Sequence, residues 1–132
     1  MTVKETKLKG CFIIEPKIFE DKRGYFLESY NQKTFNKLIG TNINFVQDNE
    51  SFSSKGVLRG LHYQTGAHAQ AKLVRVLKGK VLDVAVDLRK ESQTFGQYTA
   101  VELSEENRKQ LFVPRGFAHG FIVLENDTLF SY

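Results

Sequence analysis

Short segments with alternating apolar residues recur along the chain at even intervals, and this pattern restricts the possible folds strongly. Two of them, at residues 72–77 and 81–88, are joined by a tight turn at Gly79. About ten such segments can be traced, and each has the length and alternation of a strand. The predicted strands include residues 11–14, 25–30, 45–50, 72–77, 81–88, 95–103, 110–113, 121–124 and 128–132. The sequence therefore predicts an all-β fold, an antiparallel sandwich or jelly roll.

A single helix is predicted beside these strands. Asn31 is a good N-cap for a helix that runs to about residue 38, and Gly40 is placed to end it. Phe35, Leu38 and Ile39 would line one side of the helix. No linker, repeat or change of composition divides the chain, so residues 1–132 are expected to form one domain.

The two faces of the strand at residues 81–88 differ in polarity. The even-numbered residues are all apolar, which predicts that this face packs in the core. The opposite face carries Asp83, and the preceding strand carries Lys72. We therefore expect Asp83 and Lys72 to point to the wall of a polar cavity, where the carboxylate would pair with the ammonium and keep it charged.

The charge distribution indicates which kinds of binding partner are favoured. The formal net charge is +4, but acidic residues are interleaved with the basic ones throughout. This favours a local pocket for a small anion over a nucleic-acid groove. No apolar run approaches membrane-spanning length, and the first residues lack the apolar core of a signal peptide. The single cysteine, Cys11, cannot form an internal disulfide, so a reducing, cytoplasmic location is expected.

Side chains that can bind phosphate, exchange a proton or stabilise an oxyanion are concentrated in residues 59–72. Arg59 offers a guanidinium fork that matches phosphate, His62 can exchange a proton near neutral pH, and Lys72 can stabilise a developing oxyanion. Together they predict a site for a phosphorylated substrate that undergoes proton transfer. The alternative is a solvated loop with a few charges. His68, in a loop of small residues, is expected to be solvated.

Two amide side chains are predicted to point the same way from the strand at residues 45–50. Gln47 and Asn49 would share a face with Phe45. Amides carry both donors and acceptors, so this pair can recognise a base or a sugar. A sheet face turned to water would give the same pattern.

Two segments resemble the motifs of the cupin jelly roll. The spacing of Pro114, Gly116 and His119 resembles the second cupin motif, and residues 60–79 occupy the place of the first. Metal-binding cupins need a second histidine and a glutamate where this chain has Gln64 and Lys72. A positive ammonium there repels a cation, so no bound metal is expected.

More narrowly, the chain resembles the dTDP-4-dehydrorhamnose 3,5-epimerases, cupins that need no metal. The matching segments are residues 21–28, 45–49, 58–64, 72–76, 79–89 and 113–121. Family members continue past Tyr132, so the chain is expected to be truncated at its C-terminus relative to the family. The resemblance implies inversion of C3 and C5 of dTDP-4-dehydro-6-deoxy-D-glucose, a step of dTDP-L-rhamnose biosynthesis, with no cofactor.

The resemblance also implies roles for individual residues. His62 matches the base, Tyr132 the acid, and Lys72 the group beside the enolate oxygen. Tyr132 is the last residue of the sequence, where a side chain is often poorly held. Further matches concern the substrate: Arg59 and His119 for the diphosphate and sugar, Gln47 and Asn49 for the nucleotide, and Arg23, Phe26 and Glu28 for the nucleotide, partly from a dimer partner. A homodimer is therefore expected.

Three other functions remain open on the sequence. The first is a related nucleotide-sugar 3- or 5-epimerase or ketoisomerase, because its catalytic residues would look similar. The second is a module that binds nucleotide sugars without catalysis. The third, a metal-binding cupin, is opposed by Gln64 and Lys72.

Overall fold

Two facing antiparallel sheets and a separate hairpin form the protein, which a computed structural model describes for residues 1–66 and 69–132. His68 lies outside the described residues. Within those ranges the elements are β1 (Thr2–Glu5), β2 (Phe12–Glu15), β3 (Ile18–Asp21), β4 (Gly24–Leu27), α1 (Gln32–Ile39), β5 (Glu50–Ser53), β6 (Leu58–His62), β7 (Lys72–Lys78), β8 (Lys80–Asp87), β9 (Tyr98–Ser104), β10 (Gln110–Val113), β11 (Phe117–Val123) and β12 (Thr128–Ser131).

The strand order confirms the predicted all-β jelly roll with one short helix. One sheet has the order β1-β2-β10-β7-β12-β5 and the other has the order β6-β11-β8-β9, while β3 pairs with β4 alone. Strands distant in sequence are therefore neighbours in space, and this crossing between sheets is the Greek-key connectivity of a jelly roll. Strand β6, which carries His62, lies at an edge of the four-stranded sheet.

The main core fills the space between the two sheets. Val74 and Val76 from the six-stranded sheet pack there with Phe121 and Val123 from the four-stranded sheet. A second cluster lies on the opposite face of the six-stranded sheet, where α1 inserts the fully buried Phe35. As predicted, the side chain of Asn31 caps α1, and Gly40 ends it with a φ of 76°.

The prediction for the faces of β8 is wrong. Every odd-numbered residue from Val81 to Asp87 is buried, whereas the even-numbered residues are only partly buried. The inner face therefore includes two carboxylates, Asp83 and Asp87, and both are fully buried. Each has a specific partner, His119 for Asp83 and Arg89 for Asp87. Such partners offset the cost of burying a charge.

Several predicted strand boundaries also differ from the structure. The strand expected at residues 45–50 is absent: residues 41–49 are irregular, and the next strand, β5, begins at Glu50. Its Phe45 instead packs against Tyr30, Phe35 and Phe112. The strand expected at residues 25–30 ends at Leu27, so Glu28 follows it. β9 begins at residue 98 rather than 95, and the sequence analysis predicted none of β1, β3 and β6.

Two further observations concern the single cysteine and the length of the helices. Cys11 is buried in the main core, and burial raises the pKa of its thiol to about 12. Within the described ranges, the structure contains no helix with the length and apolar character needed to cross a membrane.

A buried network around Asp87 ties the end of β8 to its surroundings. The carboxylate accepts hydrogen bonds from the Arg89 guanidinium and from the hydroxyls of Ser92 and Thr94. Arg89 also donates to the backbone carbonyl of Lys9, between β1 and β2. Burial acts to raise the pKa of Asp87, but these hydrogen bonds outweigh it and hold the pKa well below its ordinary value.

Replacing Asp87 with asparagine is expected to destabilise the fold by about 2 kcal/mol at pH 7, because the charge that Arg89 and two hydroxyls surround is removed. Since folding lowers the pKa of Asp87, its stabilisation is complete above the unfolded pKa of about 4 and is lost as the pH falls below it. Urea unfolding at pH 7 and pH 3 should show a gap between wild type and variant that narrows at pH 3. A gap of constant size would contradict this assignment.

Candidate active site

A hydrogen-bonded histidine–carboxylate pair lies between the two sheets. His119 projects inward from β11, and its Nε2 lies 2.7 Å from Oδ1 of Asp83 on the neighbouring strand β8. Both side chains are almost completely buried. Burial raises the pKa of Asp83, while His119 and Lys72 act to lower it. In the described part of the chain, the second oxygen of Asp83 has no hydrogen-bond partner.

The direct contact predicted between Asp83 and Lys72 does not form. No ion pair joins them in the described ranges, and the carboxylate bonds to His119 instead because β8 and β11 are adjacent strands. The influence of Asp83 on Lys72 is longer in range. Burial lowers the pKa of Lys72, and the charge of Asp83 acts against this. The expected effect of Asp83 is thus present, without the expected contact.

His62 lies on the same side of its sheet as this buried pair. It stands directly opposite His119 in the pairing of β6 with β11. Residues directly opposite each other in antiparallel strands project from the same face, so the imidazole of His62 is directed to the inner face of the four-stranded sheet. His119 is buried, whereas His62 is exposed, because β6 is an edge strand.

Lys72 and Tyr132 meet on the facing sheet. The Lys72 ammonium lies 5.9 Å from the centre of the Tyr132 ring, and Lys72 is half-buried at the start of β7. The terminal Tyr132 is held more firmly than its position in the sequence suggested. Its N–H donates to the carbonyl of Asn49 over 3.0 Å, and its carbonyl accepts from the N–H of Asn49 over 2.7 Å.

A cluster of aromatic rings in the main core, not predicted from the sequence, lies beside these groups. Phe130 stacks on His119 with ring centres 6.5 Å apart and planes inclined by 13°, and it also contacts Phe121 and Tyr132. The alternation of residues 128, 130 and 132 along one strand was the available signal, since it puts Phe130 on the face of Tyr132.

Arg59 extends from β6 toward the other sheet. Its Nε and Nη2 both donate to the hydroxyl of Ser53, at 3.1 Å and 3.0 Å. Ser53 is buried on β5 in the six-stranded sheet. No sequence pattern indicated this contact, which joins the edge strands of two different sheets.

A large cavity opens beside Lys72 and Tyr132, with a volume of about 1350 Å³. Gln47 and Asn49 also line it, and the Gln47 amide donates to the Asn49 side-chain oxygen over 3.1 Å. The two amides were predicted to point the same way from a strand; they instead lie in irregular chain and are bonded to each other. His62, Arg59 and His119 are not among the residues that line this cavity.

The hairpin β3–β4 carries three predicted substrate-binding residues away from this cavity. The Arg23 side chain is 90% exposed and pairs with Asp21, and Phe26 is 67% exposed. Phe26 and Arg108 line a smaller cavity of about 360 Å³, which adjoins the large one because Gln110 lines both. Glu28 is exposed just beyond β4 and lines neither cavity. The structure thus places the predicted catalytic residues on the two facing sheets and Gln47 and Asn49 at the large cavity, but it brings these three residues to neither place.

The described residues contain no group of three or more histidine, cysteine, aspartate or glutamate side chains placed to hold a metal ion.

Comparison with known proteins links this arrangement to one family. A model of the dTDP-4-dehydrorhamnose 3,5-epimerases matches residues 5–132. The dTDP-4-dehydrorhamnose 3,5-epimerase of Salmonella typhimurium is 58% identical over 132 residues, which are 100% of this chain and 72% of that protein.

Comparison with solved structures identifies the same family. A dTDP-4-dehydrorhamnose 3,5-epimerase from Elizabethkingia anophelis is 62% identical, with a TM-score of 0.95 over 99% of this chain and 72% of its own. A dTDP-6-deoxy-D-glucose-3,5-epimerase from Legionella pneumophila, solved with dTDP-4-keto-L-rhamnose, is 52% identical. Its TM-score is 0.95, and the match covers 98% of this chain and 69% of the Legionella chain. This chain therefore belongs to the dTDP-4-dehydrorhamnose 3,5-epimerase family.

Proposed function

We propose that this chain inverts C3 and C5 of dTDP-4-dehydro-6-deoxy-D-glucose to give dTDP-4-dehydro-L-rhamnose. The observation that carries the proposal is the position of His62, opposite the buried His119–Asp83 pair on the inner face of one sheet. Lys72 and Tyr132 lie together on the other sheet. The relatives named above support the choice of substrate.

The chemistry explains why groups on two walls are useful. The C4 ketone acidifies the hydrogens on C3 and C5, and removal of either proton gives an enolate. Inversion then requires that a proton return from the opposite face of the ring. A base on one sheet and an acid on the facing sheet can therefore address opposite faces of a sugar held between them.

Each group has a definite task in this proposal. His62 removes the proton, Tyr132 donates one from the other wall, and the Lys72 ammonium stabilises the oxygen of the enolate. Electrons stay within the sugar throughout, since a C–H bond breaks and a new one forms at the same carbon. The reaction is redox-neutral.

In this proposal the His119–Asp83 pair positions the substrate and does not transfer a proton. The carboxylate fixes the orientation of the His119 ring through the Nε2 bond of 2.7 Å, and Phe130 stacks on the same ring. We assign His119 to the sugar and diphosphate on this basis, with Arg59 for the diphosphate. Asp83 acts through His119.

Product analysis of this chain tests the function. Incubation with dTDP-4-dehydro-6-deoxy-D-glucose in deuterated water should give a product with deuterium at C3 and C5 and the L configuration. Deuterium at one carbon alone would indicate a single-centre epimerase instead. Binding of the substrate without any exchange would indicate a nucleotide-sugar-binding module.

We also propose that the working enzyme is a homodimer. Gln47 and Asn49 line the large cavity and suit the nucleotide, whereas Arg23, Phe26 and Glu28 lie elsewhere on the same chain. If these three contact the nucleotide, they do so in a second copy. Their exposure on a projecting hairpin supports this arrangement.

Mixing two inactive variants tests the shared site. Co-refolded His62→Ala and Phe26→Ala chains should regain roughly a quarter of wild-type activity, because half of the dimers are mixed and each has one intact site. Mixing His62→Ala with Tyr132→Phe is the control and should regain none, since both residues belong to one chain's site. Equal recovery in the two mixtures, or none in the first, would contradict the shared site.

Two coarser assignments complete the proposal. We place the enzyme in the cytoplasm, on the basis of its single buried cysteine. We treat residues 1–132 as one jelly-roll domain, because both sheets contribute to one continuous core.

A further inference from the structure

We propose that Ser53 is a positioning residue that fixes the guanidinium of Arg59 for a diphosphate. The inference rests on the proposed function, because Arg59 is taken to bind the diphosphate. It adds a residue to the site that neither the motifs nor the resemblance indicated.

The geometry leaves one edge of the guanidinium free. Ser53 accepts from Nε and Nη2 of Arg59, which is the lateral edge of the group. A guanidinium has five N–H donors, so three remain, two on Nη1 and one on Nη2. One N–H of Nη1 and the remaining N–H of Nη2 form the terminal edge, which can donate two parallel hydrogen bonds to phosphate oxygens.

A hydroxyl anchors Arg59 without cancelling its charge. Arg23, Arg89 and Arg108 are each paired with a carboxylate, whereas no ion pair in the described ranges involves Arg59. A carboxylate at position 53 would compete with an anionic ligand for the same guanidinium. A neutral acceptor holds the side chain and leaves the full positive charge for the ligand.

Ser53 is itself rigidly held, which makes it a suitable anchor. It is 6% exposed and lies opposite Thr128 in the pairing of β5 with β12. The Thr128 hydroxyl donates to the carbonyl of Glu125 and accepts from the N–H of Lys80. The position of the guanidinium is therefore set by the six-stranded sheet, although Arg59 belongs to the other sheet.

Ser53→Ala should weaken binding of dTDP and of inorganic pyrophosphate about tenfold in calorimetric titration, the size expected for a hydrogen bond to a charged group. In turnover, KM should rise while kcat stays within about twofold, since Arg59 holds the ground state and the transition state alike. Ser53→Thr keeps the hydroxyl and should restore affinity.

A matched control is available on the same strand. Ser51 lies two residues earlier, and its buried hydroxyl has no partner in the described part of the chain. Ser51→Ala should leave affinity unchanged. In an Arg59→Ala background, Ser53→Ala should have no further effect, because the two residues act as one unit.

The outcomes separate this inference from the proposed function. Wild-type affinity in Ser53→Ala, failure of Ser53→Thr to restore it, or an equal loss in Ser51→Ala would overturn the assignment, and urea midpoints check that each variant is folded. If the chain binds dTDP as expected but forms no product, the proposed function fails and the role of Ser53 stands. If it binds neither probe, the role of Ser53 fails too.

Discussion

Replacing His62 with alanine is expected to slow epimerisation by roughly 10²- to 10⁴-fold, because a well-placed base contributes about that much. In the proposed mechanism the imidazole accepts the proton on the inner face of the four-stranded sheet, while Lys72 and Tyr132 lie together on the facing sheet. Affinity for dTDP should stay within about twofold, since the proposal assigns binding of the nucleotide to Arg59, Gln47 and Asn49 rather than to the base.

Exchange of solvent deuterium into C3 and C5 is the direct measurement, and it separates loss of proton transfer from loss of binding. Tyr63→Phe is the matched control, because it alters an exposed neighbour of His62 that the mechanism does not use. If His62→Ala exchanges deuterium as fast as wild type, the base lies elsewhere. A parallel loss in Tyr63→Phe would point to general disturbance of this segment.

Lys72→Met is expected to have the second largest effect, a fall in kcat of roughly 10²- to 10³-fold. Methionine is nearly as long as lysine, and it removes the charge to which we assign the stabilisation of the enolate oxygen. Since that charge develops only during the reaction, kcat should fall much more than affinity for the substrate. Steady-state kinetics at saturating substrate measures this difference.

The pH profile of the wild-type enzyme provides an independent check on Lys72. Burial lowers the pKa of the ammonium below its ordinary value of 10.5. The positive form is therefore lost as the pH rises through this lowered pKa, and kcat should decline on the alkaline side before pH 10.5 is reached. Lys72→Met should lack this decline.

Lys78→Met is the control, since Lys78 is exposed at the far end of the same strand. It should retain wild-type kcat and the wild-type pH profile. A Lys72→Met enzyme within a few-fold of wild type would contradict the role of the ammonium.

Local chemistry made part of this fold predictable. Asn31 and Gly40 bound the helix as expected, because a capping side chain and a residue that tolerates positive φ act over a few residues. Gly79 connects β7 to β8 for a similar reason: its φ is 89°, and an added Cβ would collide with Thr128. Such signals are written in a few adjacent residues.

Long-range packing decided the features that were missed. Strand alternation alone indicated that the apolar face of β8 is internal, but Asp83 is buried against His119, 36 residues away. Asp87 is buried with Arg89, which itself reaches the carbonyl of Lys9, 80 residues away. Phe45 is drawn out of a strand by three aromatic rings that only the folded chain assembles. The contact between Ser53 and Arg59 likewise depends on how two sheets meet.

The buried thiol of Cys11 has a practical consequence for spectroscopy. With its pKa raised to about 12, the thiol should not react with maleimide reagents under conditions that modify an exposed thiolate. Glu106→Cys, in the exposed turn after β9, would then be the sole reactive handle for a fluorophore. β6 and β9 are the opposite edge strands of one sheet, so such a dye would lie beside the edge opposite to the one that carries His62.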